Sequence, residues 1–108
     1  MLGPSYEPSD VFAAIAAPAR RLLLARLTDG EKPMLELAKP LSMTLPAVSQ
    51  HLSVLRAAGL VTMRKSGRQR IYRLNPAPLK AVSDWVRNYE GFWSEKLADL
   101  GTYLEETE

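Results

Sequence analysis

The side chains best suited to polar recognition chemistry fall into two groups near the middle of this 108-residue sequence. The first group offers hydroxyl, amide and guanidinium groups on one face of a predicted helix: Ser49, Gln50, Ser53 and Arg56. The second group concentrates four cations within seven residues: Arg64, Lys65, Arg68 and Arg70. Groups of the first kind can hydrogen-bond to base edges, and cations of the second kind pair with phosphates. The pattern therefore indicates contact with a polyanion such as DNA.

The distribution of charge along the chain supports the same interpretation. The formal net charge is only +2, which alone says little about partners. The segment from Leu37 to Ser83, however, contains eight cations and no acidic residue, a charge of +8. The two flanks hold six cations against all 12 acids, a charge of −6. Such asymmetry favours a polyanion-binding middle, the alternative being a chance fluctuation on a solvated face.

Cysteine is absent from the chain and histidine occurs once, although many catalytic and metal sites use these residue types. The chain has no cysteine, which excludes disulfides, thiol nucleophiles, thiol redox switches and cysteine metal sites. Its one histidine, His51, nearly excludes a zinc site of the usual ligands. We find neither paired carboxylates in a pocket-like context nor a glycine-rich phosphate loop. The sequence therefore predicts a protein that is not an enzyme and has no metal or cofactor.

Length and composition predict one globular domain with a short arm. The apolar fraction of 46% and the charged fraction of 24% are ordinary for a folded domain. Residues 1–8, with Gly3, Pro4 and Pro8, predict a flexible N-terminal arm, and residues 9–108 the domain. The longest stretch without a charge, between Lys39 and Arg56, contains too many polar residues for a membrane span. We therefore expect a cytoplasmic protein without a membrane partner.

Three short helices are predicted before the two polar groups. Ser9 or Asp10 can cap a first helix that ends at Ala16, and Pro18 fits the first turn of a second helix that ends near Thr28. A third helix is expected over about 34–40. The apolar side chains expected to face the core from these helices are Val11, Phe12, Ile15, Leu23, Leu24, Leu27, Leu35, Leu37, Ala38 and Leu41.

The first polar group lies on a fourth predicted helix. Thr44 is a good N-cap and Pro46 falls in the first turn. One buried face is predicted by apolar residues at i, i+4 and i+7: Val48, Leu52 and Leu55. Gly59 is expected to end the helix. The opposite, polar face is narrow enough to enter the major groove of DNA.

The second polar group lies on a predicted β-hairpin. Residues 60–65 and 69–74 have strand character, and Ser66-Gly67 is a plausible two-residue turn. This turn would place Lys65 opposite Arg68. Like charges in that position destabilise a hairpin unless a partner such as a phosphate neutralises them.

A long final helix is predicted after Asn75-Pro76, which we expect to cap it. Its apolar residues recur at spacings of three and four, close to the 3.5-residue repeat that allows a helix to pack along another helix. They are Leu79, Val82, Val86, Tyr89, Trp93, Leu97, Leu100 and Leu104. This seam predicts dimerisation. The fold class is thus mainly α with a two-stranded β-hairpin: a winged helix-turn-helix of helices, hairpin and long C-terminal helix.

Two strings in the sequence resemble the ArsR family of bacterial winged helix-turn-helix repressors. They are P-A-V-S-x-H-L-x-x-L-x-x-A-G-L-V from Pro46 and G-R-x-x-x-Y-x-L from Gly67. The resemblance extends over about residues 9–104. It implies a homodimer that binds double-stranded DNA at an inverted-repeat operator, regulates its own or neighbouring genes, and is released by an effector.

The resemblance also assigns roles to individual residues. The family's recognition-helix contacts fall on Thr44, Pro46, Ser49, Gln50 and His51, and its wing contacts fall on Lys65, Arg68 and Arg70. Ser49 and Gln50 are the best candidates for reading bases, whereas Thr44 serves mainly as the N-cap. His51 either contacts DNA or hydrogen-bonds within the domain. The rest of the predicted DNA-binding set is Arg56, Arg64 and Gln69. The predicted dimer interface is Val11, Phe12, Leu79, Val82, Val86, Tyr89, Trp93, Leu97 and Leu100.

The sequence departs from the family's metal-sensing patterns. Pro33-Met34-Leu35 stands where many members have Cys-x-Cys, and Asp84 has no histidine near it on the final helix. We therefore expect no metal or thiol sensing, which leaves a small organic molecule, a protein partner or no inducer.

Two questions stay open from the sequence. Trp85, Phe92 and Trp93 line either an effector pocket or only the core of the dimer. A protein-interaction module on a winged-helix scaffold that no longer binds DNA is the alternative function.

Overall fold

A computed structural model describes residues 10–106, and the predicted arm (1–8) and candidate cap Ser9 lie outside this range. The chain is mainly helical with one small antiparallel sheet, which confirms the predicted fold class. In chain order the elements are α1 Val11–Ala14, α2 Pro18–Arg26, β1 Lys32–Pro33, α3 Met34–Ala38, α4 Leu45–Ala57, β2 Val61–Ser66, β3 Gln69–Leu74, α5 Leu79–Arg87 and α6 Glu90–Glu106.

The starts of the first, second and fourth helices are those that local chemistry predicts. The Asp10 carboxylate accepts a hydrogen bond from the backbone N–H of Phe12 at 2.8 Å, so Asp10 caps α1. Pro18 and Pro46 occupy the first turns of α2 and α4, where a missing N–H costs nothing. The Thr44 hydroxyl accepts from the backbone N–H of Ala47 at 3.3 Å, which confirms its role as the N-cap of α4.

The hydrophobic core forms where α2, α3, α4 and the sheet meet. Its fully buried members include Leu23, Leu37, Leu52, Leu55, Val48, Leu60 and Val61. The expected inward positions of α2 and α4 are therefore confirmed. Two expectations are wrong, because Phe12 and Leu35 remain 40% and 55% exposed. Phe12 lies against Trp85 instead of the core, and the five-residue α3 buries only Leu37 and Ala38.

The sheet has three strands, in the order β1-β3-β2. We did not predict β1: its two residues, one of them proline, are too few to show a strand pattern. It pairs antiparallel with β3 through Lys32↔Tyr72 and Pro33↔Ile71.

The predicted hairpin turn is wrong by one residue. Ser66 pairs with Gln69, so Gly67-Arg68 and not Ser66-Gly67 forms the loop. Gly67 has φ 61°, and a glycine with positive φ at the first loop position is typical of a type II′ turn. The facing cations are therefore Lys65 and Arg70, not Lys65 and Arg68.

The final helix is broken in two, which corrects the single long helix predicted. The amides of Asn88 and Tyr89 bond three residues back, to Trp85 and Val86, and the helix resumes when Trp93 N–H donates to the Tyr89 carbonyl at 3.0 Å. Asn75 does not cap α5. The N-cap position is Pro78, and the Asn75 amide oxygen accepts from the backbone N–H of Ala77 at 3.4 Å in the turn before the helix. The Asn75 side-chain NH₂ donates to the Gly59 carbonyl at 2.8 Å, which ties the end of the hairpin to the end of α4. Within residues 10–106, no helix is both long and apolar enough to cross a membrane.

Candidate nucleic-acid interface

Helix α4 presents a narrow polar face because three buried side chains determine which side of the helix faces the core. Val48, Leu52 and Leu55 are completely buried on one side of the helix. The exposed side carries three of the predicted contacts, Pro46, Gln50 and Arg56, together with the hydroxyl of Ser53. Ser49 and His51 lie half-buried at its edges. The structure therefore brings these predicted recognition residues together on α4.

Helices α3 and α4 form a helix-turn-helix unit. Leu37 and Ala38 of α3 are buried in the core that also holds Val48 of α4, and the two helices pack against each other. The turn between them spans residues 39–44 and ends at the Thr44 cap. α4 is thus the second helix of the unit, the position from which helix-turn-helix proteins read the major groove.

The register of the hairpin separates its polar side chains onto two faces. Paired residues share a face, and faces alternate along each strand. Lys65 and Arg70 share the face of Met63 and Tyr72, which packs into the core. They therefore extend the same side of the sheet on which α4 packs against β2. The remaining predicted wing contacts differ in position: Arg68 lies in the loop, whereas Arg64 and Gln69 lie on the opposite face.

One predicted DNA contact, Arg64, already has an acidic partner. Its Nη2 lies 2.5 Å from Oε1 of Glu31, and its Nε donates to Oε2 at 3.4 Å. The hydrogen bond from Arg64 lowers the pKa of the Glu31 carboxyl below its ordinary value and raises the pKa of Arg64. The two residues are 33 positions apart, so sequence reasoning missed the pair. The pair attaches the wing to the segment just before β1.

We expect Glu31→Gln to strengthen binding to DNA of any sequence, since it removes a negative charge beside the wing and frees Arg64. One further cation available to phosphate should steepen the dependence of log affinity on log salt by about 0.9. Fluorescence anisotropy titrations at several salt concentrations measure this slope. Asp29→Asn is the matched control, because Asp29 pairs with Lys32 and not with the wing. An unchanged slope in Glu31→Gln would mean that Arg64 never reaches DNA.

His51 is hydrogen-bonded within the domain, one of the two roles considered for it. Nη1 of Arg20, on α2, lies 3.1 Å from Nδ1 of His51. The same guanidinium donates from Nε to the Ala14 carbonyl at 2.6 Å and from Nη2 to the Ala13 carbonyl at 3.2 Å. Arg20 therefore joins the C-terminal end of α1 to α4. Sequence reasoning missed this contact because it joins residues 31 positions apart.

An exposed apolar surface is formed by side chains of α1, α5 and α6. We call it the aromatic surface: Phe12, Trp85, Tyr89, Phe92 and Trp93. Its rings meet edge to face at centroid distances of 5.5–5.9 Å. Trp85, Tyr89, Phe92 and Trp93, together with Val86, line an open groove of about 520 Å³.

The predicted dimer residues are not equally available. Val11 and Leu79 pack partly against the core of their own chain, and Val82 is half-buried. Phe12, Val86, Tyr89 and Trp93 remain exposed, and the exposed apolar face continues along α6 through Leu97 and Leu100. Phe12 and the exposed residues of α5 and α6 thus offer more free apolar area than Val11 or Leu79.

The described residues offer poor ligands for a metal ion. Among the side chains that the structure describes, no group of three or more His, Asp or Glu is suited to a metal. Asp84 is engaged by Lys80, whose Nζ lies 2.9 Å from its Oδ2, and by Arg87. The hydrogen bond from Lys80 lowers the pKa of the Asp84 carboxyl. Pro33-Met34-Leu35 spans the junction of β1 and α3 and carries no carboxylate or imidazole.

A helix-turn-helix unit followed by a hairpin with cations at its tip defines a winged helix-turn-helix domain, a class that binds DNA. The profile described as "Bacterial regulatory protein, arsR family" matches residues 17–63, from the start of α2 into β2. The chain belongs to this family of DNA-binding transcriptional regulators.

Individual relatives agree with this assignment. The chain is 39% identical over 99 residues to the HTH-type transcriptional regulator Rv2034 of Mycobacterium tuberculosis, covering 92% of this chain and 90% of the relative. It is 30% identical to the transcriptional repressor SdpR of Bacillus subtilis, covering 75% of this chain and 90% of the relative. The crystal structure of an ArsR family transcriptional regulator, RHA00566, superposes with a TM-score of 0.71 at 35% identity, covering 82% of this chain and 98% of that one. These relatives are named as regulators and not as enzymes.

Proposed function

We propose that this protein is a homodimeric transcriptional repressor that binds an inverted-repeat operator near its own or neighbouring genes. The observation that supports the proposal is that α4, whose polar face is exposed, packs on the side of the sheet that Lys65 and Arg70 share. A helix of small donors and acceptors would read base edges while the wing cations hold phosphates. The similarity to a protein named as a repressor, SdpR, supports the direction of regulation.

The aromatic surface and the α6 face supply the proposed dimer interface. Trp93 and Leu97 are 57% and 66% exposed, which is unusual for side chains of this size unless a partner covers them. A second copy of the chain fits because a two-fold axis pairs an apolar face with itself. The groove between Trp85 and Trp93 would then be filled by the partner chain. The dimer would place its two α4 helices one DNA turn apart, about 34–36 Å.

Regulation by a metal ion or by thiol chemistry does not fit the donor set. The chain has no cysteine, and its single histidine is already bonded to Arg20. Asp84 is neutralised by Lys80 and Arg87. We therefore propose a repressor whose release, if it has an inducer, depends on a small organic molecule or a protein.

Mobility-shift titration tests the proposal. The purified protein is titrated with the DNA upstream of its own coding sequence and, in parallel, with random duplex of equal length. A specific operator requires tighter binding to the upstream DNA, and specific complexes exceed non-specific ones by about 10³-fold or more. Equal binding to both duplexes would rule out a specific operator, and no binding to either would favour the protein-interaction module.

Arg68→Ala is expected to weaken binding to all sequences to a similar extent. Arg68 lies in the hairpin loop with an exposed side chain, so we assign it a phosphate contact that carries no sequence information. The salt slope should fall by about 1. Arg87→Ala is the control, since it removes another exposed cation, one that pairs with Asp84 on α5. Binding and salt slope measured by anisotropy should be unchanged in the control, and an Arg68→Ala variant with altered base preference would contradict the assignment.

A further inference from the structure

The contact between Arg20 and His51 determines which ring nitrogen of His51 carries the proton. A guanidinium has donors only and stays protonated in proteins, so its Nη1 must donate to Nδ1 of His51. A neutral imidazole that accepts at Nδ1 carries its hydrogen on Nε2. The contact therefore selects one of the two tautomers.

The orientation of Arg20 is fixed independently of His51. Its Nε and Nη2 donate to the carbonyls of Ala14 and Ala13 at the end of α1. Terminal carbonyls of a helix lack partners within the helix, so the bond to Ala14 satisfies a group that would otherwise need water. The Ala13 carbonyl also accepts from the backbone N–H of Ala16 at 3.2 Å. With Nε and Nη2 of the guanidinium held by α1, Nη1 is aimed at Nδ1 of His51 before any DNA binds.

The other ring nitrogen is left available. Among the side chains that the structure describes, none hydrogen-bonds to Nε2, and this atom of the half-buried ring is not completely enclosed. His51 follows Gln50 at the edge of the α4 polar face. We propose that Arg20 fixes the neutral His51 ring with its proton on Nε2, so that α4 presents Nε2–H to a hydrogen-bond acceptor on DNA.

The acceptor is either a phosphate oxygen or a base atom of the major groove, such as O6 or N7 of guanine. A ring with its proton on Nδ1 would instead present the lone pair of Nε2. Such a ring cannot donate a hydrogen bond from Nε2 to a phosphate oxygen or to a base acceptor. Arg20 is thus a positioning residue that acts through His51. The inference rests on the proposed binding of α4 to DNA, but the tautomer itself can be measured without DNA.

Long-range proton–nitrogen correlation NMR on ¹⁵N-labelled protein distinguishes the tautomers, and the single histidine makes assignment unambiguous. At a pH where the ring is neutral, we expect the wild-type protein to carry the proton only on Nε2. A proton on Nδ1, or a mixture of tautomers, would overturn the proposal. This result requires no variant, so a failure to fold cannot obscure it.

Two arginine variants then test whether Arg20 determines the tautomer of His51. Arg20→Met should produce a mixture of tautomers. Arg21→Met is the matched control, because Arg21 also donates to backbone carbonyls, those of Ile15 and Ala16, but does not touch His51. The control should keep the wild-type spectrum. The same spectrum in a folded Arg20→Met variant would show that Arg20 does not set the tautomer.

Two histidine variants test the use of Nε2–H on DNA. Asn places an amide oxygen near Nδ1 and nothing near Nε2, whereas Gln places an amide N–H near Nε2. We expect His51→Asn to bind DNA about three- to tenfold more weakly than His51→Gln, the range of one hydrogen bond. Equal affinities would overturn this step. A loss shared by operator and random duplex assigns a phosphate, and a loss confined to the operator assigns a base. If the wild-type protein bound no DNA, the proposed function would fail while the tautomer result stood.

Discussion

Trp93→Asp is expected to leave the protein monomeric. Trp93 lies in the middle of the proposed interface, between the aromatic surface and the apolar face of α6, and its contact with Phe92 leaves it largely exposed in the single chain. Burying a carboxylate there without a partner is far more costly than leaving it in water. Sedimentation equilibrium should therefore show the mass of one chain for the variant and of two chains for the wild-type protein.

The same substitution should greatly reduce affinity for the operator. A dimer engages its second half-site at a high effective concentration, and the loss of this advantage weakens binding by about 10²–10⁴-fold. Leu35→Asp is the control for dimerisation, since Leu35 is as exposed as Trp93 but lies on α3, outside the proposed interface. It should remain a dimer. A Trp93→Asp variant that sediments as a dimer would place the interface elsewhere.

Gln50→Ala is expected to relax specificity at one base pair of each half-site. Gln50 is exposed in the second turn of α4. Its amide NH₂ can donate to N7 of adenine while its amide oxygen accepts from the N6 amino group. Such a pair contributes about 1–3 kcal/mol of discrimination against the wrong base. Discrimination at that position should therefore fall by about tenfold or more, while other positions keep theirs.

Competition with single-substituted operators measures this effect. Ser53→Ala, on the same exposed face, controls for the loss of a polar group from α4. Arg68→Ala provides the contrast, because it should lower affinity without changing base preference. If Gln50→Ala and Arg68→Ala altered the preference in the same way, the division of roles between α4 and the wing would be wrong.

Helix α4 was predictable because all its determinants are local. The Thr44 cap, Pro46 in the first turn, the spacing of Val48, Leu52 and Leu55, and Gly59 after the end lie within 16 residues of sequence. Gly59 has φ 76°, a conformation that glycine adopts without steric cost. Local signals therefore give both the limits of this helix and its buried face.

The errors arose where neighbouring residues allow two structures. Ser66-Gly67 and Gly67-Arg68 both contain the glycine that a tight turn needs, so composition did not fix the position of the loop. The final helix keeps its apolar spacing across Asn88 and Tyr89, so periodicity did not show the break. Strand β1 forms only because β3 lies beside it.

The contacts that engage predicted DNA-binding side chains within the domain join distant parts of the sequence. Glu31 lies outside the acid-free segment in sequence, yet in space it neutralises Arg64 within that segment. Arg20 likewise reaches His51 from another helix. The charge of +8 counted along the acid-free segment is therefore larger than the net charge around the wing in the folded protein. Only the fold shows which cations have no acidic partner.

DNase footprinting on the DNA upstream of the coding sequence tests whether the protein is a dimeric repressor of an inverted-repeat operator. We expect a protected region with two half-sites in inverted orientation, their centres about 10–10.5 base pairs or a multiple apart, as two α4 helices of one dimer require. Uniform protection along the DNA, or no protection at concentrations that saturate the dimer, would show that the protein has no such operator there.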